Sequence, residues 1–217
     1  MIDSSDMTMI KGIWKNYILM HLGRAKPSLT LFALWKQRPK TLESSAPSQK
    51  QTVQWRQQQN WYRKGKRNEC ELHQRSTLER IIGEKCPRTS ERILIPESTI
   101  QRMPHVLRLE NAFDWTETFD GRFVFCGIPH YVNFKFVCGN GGMQMRSLRE
   151  TYHFVQAQLK CIQKRHMVMI NILEGDACHR AHGHFQRCIA TLPEEYKARI
   201  YVGDMAGFAD WWAASKN

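Results

Sequence analysis

Acidic residues are absent from a long stretch near the start of this chain: between Met7 and Leu42 there is no Asp or Glu. Long hydrophobic runs are absent too, since the apolar patch Ile18 to Leu22 is short and flanked by Lys and His, which excludes a bilayer-spanning helix there. Cysteine is present seven times, but never as a paired CxxC and never at regular spacing. An odd, irregular set of this kind excludes the disulfide framework of small secreted scaffolds and reads as free thiols in a reducing compartment. No signal-peptide pattern is visible, so the expected location is the cytoplasm, although an acid-poor, Lys/Arg-bearing N-terminus also fits an organelle transit peptide.

Basic charge is what the chain has in excess. Its formal net charge is +12 over 217 residues, and its mean hydropathy of −0.53 excludes a membrane-embedded protein. Clustered Lys and Arg gain affinity for polyanions by releasing phosphate counterions, so a nucleic-acid partner is expected. The excess is uneven. Residues 1–75 carry 14 Lys/Arg against 5 Asp/Glu, and residues 76–217 carry 18 against 15. The expected organisation is therefore a basic, partly disordered N-terminal extension (1–75) followed by one α/β domain (76–217).

Within the extension, short apolar pieces alternate with Pro27, Pro39 and a Ser/Pro tract, and Arg38–Lys66 reads as a flexible basic linker. The linker interleaves Trp55, Trp61 and Tyr62 with Arg56, Arg63, Lys64, Lys66 and Arg67. Two readings stay open: stacking on single-stranded nucleic acid, or docking of the aromatics on the domain.

From Ser76 the pattern becomes regular. Ser76 and Glu79 suit the cap of a short helix ending near Ile82. Ile93–Ile95 and Val106–Leu109 are short apolar segments. Arg122–Phe125 and Tyr131–Cys138 read as strands joined at Gly127-Ile128-Pro129, and Ser147–Cys161 reads as a helix with Leu148, Tyr152, Val155 and Leu159 on one face. Strands are expected over Met167–Leu173 and Arg199–Val202, then a Trp-rich terminal helix. This order predicts a mixed central sheet flanked by helices.

The chemistry concentrates between Glu110 and Phe154. Alternation on YVNFKFV puts Asn133 and Lys135 on the face opposite Val132, Phe134 and Phe136, which are expected to face the core. A lysine in an apolar strand is costly to bury unless paired or used; the alternative is that it snorkels to solvent. Asp120 lies on the neighbouring hairpin arm. Arg146 and Arg149, on a helix entered from Gly141 and Gly142, suit phosphate or guanine contacts, or else one of them pairs with Glu150 or Glu117 and anchors the helix. The glycine turn can present amides to phosphate.

Together these residues resemble the PD-(D/E)XK nuclease core of type II restriction endonucleases over about residues 76–217. In that family an acidic residue opens one strand, a lysine sits on the next, and a supporting helix precedes a hydrophobic strand with an acidic tail, here MVMINILEGD. The resemblance implies a Mg²⁺-dependent endonuclease that hydrolyses double-stranded DNA, with Asp120, Lys135 and Glu150 catalytic. It implies metal ligation by Asp120, Glu150 and the backbone carbonyl of Phe134, and phosphate or base contacts by Arg146, Arg149, Gly141 and Gly142. The chain departs from the pattern at Asn133, where the family has Asp or Glu. That departure gives Asn133 a supporting ligand role, moves the second carboxylate to Glu150 on the following helix, and leaves Glu117 and Glu110 as alternatives. A homodimer is compatible with this reading; a membrane partner is not expected.

Two other classes remain open. One is a non-catalytic nucleic-acid-binding protein on a degenerate nuclease core. The other is a zinc-stabilised basic interaction protein, suggested by Cys178, His179, His182, His184 and Cys188 within eleven residues.

Overall fold

Every residue of the strand Val168–Glu174 is buried, the signature of a parallel strand covered on both faces. The computed structural model describes residues 51–63, 68–95, 98–102 and 115–216. In chain order these form α1 (Val53–Gln57), α2 (Glu69–Ile82), β1 (Glu91–Ile95), β2 (Thr99–Arg102), β3 (Trp115–Thr118), β4 (Gly121–Phe125), β5 (Ile128–Phe136), α3 (Gly142–Lys164), β6 (Val168–Glu174), α4 (Asp176–Ala190), α5 (Glu194–Lys197), β7 (Ile200–Gly203) and α6 (Met205–Lys216). The strands make a four-stranded sheet, β4-β5-β6-β7, and a three-stranded sheet, β2-β1-β3. In the larger sheet β4 pairs antiparallel with β5, while β5, β6 and β7 run parallel. The expected mixed sheet flanked by helices is what the chain forms.

The core lies on both faces of that sheet, not only on the Val132/Phe134 side. On one face Val132, Phe134, Ile170, Ile172 and Tyr201 pack against Leu78 and Ile82 of α2 and Phe208 and Trp212 of α6. On the other, Tyr131, Met169, Leu173 and Val202 pack against Leu148, Phe154, Val155 and Leu159 of α3 and Phe185 and Ile189 of α4. Period-two alternation predicted which residues share a face. It could not show that the second face would also be covered by helices from later in the chain.

Local signals explain most boundaries. The hairpin between β4 and β5 is the two-residue turn Cys126-Gly127, with φ of 51° and 75°, the doubly positive pattern that matches strand twist. Strand β5 therefore starts at Ile128, three residues earlier than the expected Tyr131, and ends at Phe136. Pro129 is tolerated because pairing with β6 begins only at His130. Helix α2 begins at Glu69, with Glu69 and Glu71 in its first turn, and ends on Gly83 at φ 81°. Ser76, expected as its cap, instead lies mid-helix and donates to the His73 carbonyl at 3.0 Å. Helix α3 runs longer at both ends than the expected Ser147–Cys161. The apolar segment Val106–Leu109 lies outside the described residues.

Residues 51–63, placed by the sequence in a flexible linker, are part of this body. Gln51 accepts from the Asp176 amide at 3.0 Å through its backbone and from the Gly175 amide at 2.8 Å through its side chain. Trp55 stacks on Phe136 with centroids 6.3 Å apart, and Trp61 on His73 at 4.2 Å. The docking alternative for these aromatics is therefore the one the described residues adopt, and the break placed at residue 75 falls inside α2. Among the described residues no helix is long and apolar enough to cross a membrane. None of the seven cysteines is in a disulfide.

One buried group sets an acid limit on this core. His130 is 4% exposed and donates its Nδ1–H to the Ile128 carbonyl at 2.8 Å. Burial pulls its pKa down from 6.5 to about 4. The unfolded chain then binds the proton more readily, so the stability from this group is present above pH 6.5 and is lost as pH falls toward 4. Urea unfolding should weaken over that window by up to about 1.4 kcal/mol per pH unit, and His130→Phe, which keeps a ring between Phe123 and Trp212, should show a shallower fall. Parallel pH profiles for the two proteins would refute the assignment.

Candidate active site

The β3–β4 junction brings the candidate carboxylates to one edge of the larger sheet. Glu117 sits on β3. Phe119, 1% exposed, plugs into the core, and Asp120 immediately precedes β4, where its amide donates to the Val132 carbonyl at 2.9 Å. The hairpin folds β5 back alongside, so Gly121 pairs with Val132 and the Asp120 Oδ2 accepts from the Phe134 amide at 2.6 Å. Lys135 follows on β5, half-buried. Fifteen residues of sequence are thereby closed into one site by a single turn.

Electrostatics ties these groups together. Burial pushes the Asp120 carboxyl up; the Phe134 amide offsets this, Glu71 adds to it, and Lys135 and Arg75 draw it down. Burial also pushes Glu117 up, against the pull of Lys135 and with added repulsion from Glu150 and Asp120. Lys135 is thus the cation that two raised carboxyls share, the kind of perturbation that clusters at functional sites.

The other expected residues fall differently. Glu150 is half exposed and pairs with Arg146 at 2.9 Å, one turn away on the same helix. Arg149 is exposed, and its Nε donates to the Met145 carbonyl at 3.4 Å. Gly141 is the N-cap of α3, without a side-chain cap, and Gly142 is the first helical residue. The tight backbone of the turn is instead at Gly139, φ 85°. Glu110 lies outside the described residues.

Asn133, expected as a supporting ligand, is 2% exposed and faces α3, where its amide donates to Asn171 Oδ1 at 3.1 Å. Asn171 exchanges two hydrogen bonds with Gln158, at 2.7 and 3.0 Å. This closed amide network satisfies polar groups inside the core, and Asn133→Asp would set a carboxylate against the Asn171 oxygen. The acidic tail of β6 is likewise engaged in structure. Glu174 accepts from Gln51 at 3.2 Å, and Asp176 caps the Gly139 amide at 2.8 Å while pairing with Arg180 at 2.9 Å.

Sequence reasoning missed two residues of α2. Arg75 donates to the Asp120 carbonyl at 2.6 Å and pairs with Glu71 at 2.8 Å, fixing the backbone that carries the Asp120 carboxylate. Gln74, 1% exposed, donates to the Lys135 carbonyl at 3.2 Å. The signal was present as Glu71, Gln74 and Arg75 at i, i+3 and i+4, one helical face. It was hidden by placing the helix start at Ser76.

Mg²⁺ suits this donor set chemically. It is a hard cation that ordinarily takes one or two carboxylates and completes its shell with water and substrate phosphate. Asp120 and Glu117 can supply that number, although among the described residues no group of three or more His, Cys, Asp or Glu stands at metal-holding spacing. Cys178 is 1% exposed with its thiol pushed up to about 12 by burial, and His184 is engaged by Arg187 at 2.8 Å. Compared with known proteins, the chain matches no family model, no curated protein and no solved structure.

Proposed function

We propose that the protein is a Mg²⁺-dependent endonuclease acting on DNA phosphodiester bonds, built on a restriction-endonuclease-like core. The observation that carries the reading is one lysine, Lys135, acting on two carboxyls, Asp120 and Glu117, that burial raises, with Glu150 beside Glu117. Asp120 and Glu117 would hold the ion, with the Phe134 carbonyl as a backbone donor. Glu150 is assigned an outer position, because its partner is already Arg146. When bound, Mg²⁺ supplies the charge that acidifies water and polarises the phosphoryl group. Lys135 orients the attacking water and balances the negative charge that develops on phosphate oxygens. Arg75 and Gln74 hold the two backbones so that the charged side chains keep their spacing.

The first test is conversion of supercoiled plasmid by purified protein with Mg²⁺ and with chelator. Glu117→Gln should slow cleavage about a hundredfold or more, the scale of losing one charge-stabilising group, whereas Glu150→Gln should cost less than about tenfold. The opposite ranking would return the second ligand to Glu150. A non-cleaving DNA-binding protein is the second reading, favoured by the structural use of Asn133. It would be supported by duplex binding without Mg²⁺-dependent cutting.

A further inference from the structure

The segment Gln51–Tyr62 is fastened at both ends and lightly held between them. At its first residue, Gln51 accepts from the Gly175 and Asp176 amides and from the Cys138 thiol at 3.2 Å, and it donates to Glu174. At the other end Trp61 stacks on His73 and meets the Phe136 ring at a steep angle, centroids 5.9 Å apart. Between them stands α1, five residues long, well short of the ~12 residues that an isolated helix needs in water. No residue from Gln51 to Arg63 is fully buried. A unit with so few buried apolar contacts opens locally at a lower free energy than the core does.

What this segment grips is the Lys135 end of β5. Strand β4 pairs with β5 only as far as Val132, and from Asn133 to Phe136 the pairing strand is β6 alone. That half of β5 therefore depends on side chains along its other edge. Gln74 of α2 takes the Lys135 carbonyl there. Phe136, the next residue, carries Trp55 stacked on its ring as well as Trp61. It is in register with Glu174, whose carboxylate accepts from both Gln51 and Gln74. His73, beside Gln74 in sequence, lies under Trp61. One aromatic route and one polar route thus run from the segment to the backbone of Lys135.

We infer that Gln51–Tyr62 is a regulatory strap for the carboxylate–lysine site: docked, it fixes the half of β5 that carries Lys135; released, it leaves the sheet folded and Lys135 out of place. Gln51, Trp55 and Trp61 are its positioning residues. What the site does when armed rests on the nuclease reading; the hold of the strap on Lys135 does not.

The test uses the full chain, first without metal or DNA. Hydrogen exchange at the Asp176 amide reports the Gln51 end of the strap. Acetylation by acetic anhydride, read by mass spectrometry at Lys135 against the exposed Lys160, reports the site. In the wild type, the Asp176 amide should exchange by an opening insensitive to low urea, while Ile170 and Ile172 in buried β6 exchange only with global unfolding. Trp61→Ala, at the opposite end of the strap, should speed exchange at Asp176 about tenfold, the scale of one lost aromatic pair, and raise Lys135 acetylation severalfold. Gln51→Ala should likewise raise that acetylation, and it serves if Trp61→Ala does not fold. Gln57→Ala, exposed on α1, should change neither. With Mg²⁺ and plasmid, Trp61→Ala and Gln51→Ala should cleave about 10- to 100-fold more slowly, the scale of a small displacement of a catalytic group.

Unchanged Lys135 acetylation in both variants, or exchange at Asp176 that follows the same urea dependence as Ile170, would overturn the inference. Faster cleavage by the variants would overturn it too, since the strap would then obstruct the site. Raised acetylation in protein that cuts no DNA would support the hold of the strap on Lys135 and remove the nuclease reading.

Discussion

Purified Lys135→Ala protein is expected to bind duplex DNA nearly as well as the wild type but to cleave it about 10²- to 10³-fold more slowly, the range for losing one preorganised donor at developing charge. The fold should survive, because Gln74 bonds the backbone carbonyl of Lys135 and not its amine. A second readout separates catalysis from packing. Lys135 draws down the pKa of both Asp120 and Glu117, so removing it leaves both carboxyls higher. Ionised carboxylates are what hold the metal, and the acid limb of any residual activity should therefore move to higher pH. Lys135→Arg should restore part of that position. Cleavage at the wild-type rate with an unchanged pH profile would show that Lys135 only snorkels to solvent.

The large sheet was legible because its signals are local. VMINIL is an apolar, β-branched run broken only by Asn171, the alternation on YVNFKFV fixes faces, and two strand-to-helix connections follow in order. What sequence could not supply was coverage. Whether one or both faces are packed depends on α2 and α6, which lie at opposite ends of the described chain yet meet on the same face through Leu78, Phe134, Tyr201 and Phe208. Polar Gln51 likewise gave no sign that it would meet the start of α4, since its two oxygens are used only once β6 and α4 are in place.

At the site, residue types were easier to read than partners. Asp120 and Lys135 stand out because a carboxylate and an amine on adjacent arms of a short hairpin must be near each other. Asn133 misled for the same reason: its register fits a ligand, but Asn171 and Gln158, 38 and 25 residues later, draw it into the core. The choice between Glu117 and Glu150 also depended on tertiary structure. Helical spacing alone places Arg146 one turn before Glu150, whereas the exposure of Glu117 is set by how β3 meets β4.

Asp120→Asn should abolish Mg²⁺-dependent cleavage and yet make the protein more resistant to urea at neutral pH. The amide oxygen can still accept from the Phe134 amide, so the local backbone contact is kept. What is removed is a carboxylate that burial, the largest influence on it, holds above its ordinary pKa of 3.8. For a carboxyl raised on folding, the contribution to stability is full below the unfolded value and is lost as pH rises through the folded value. The wild-type protein therefore carries a cost at pH 7 that the asparagine variant lacks, and the gain should vanish when both are unfolded below pH 3.8. Mg²⁺ should reverse the neutral-pH ranking by stabilising only the protein that binds it. Lower stability of Asp120→Asn at pH 7 in chelator would mean that the carboxylate is a structural anchor, and an equal Mg²⁺ response in both proteins would remove Asp120 from the metal site.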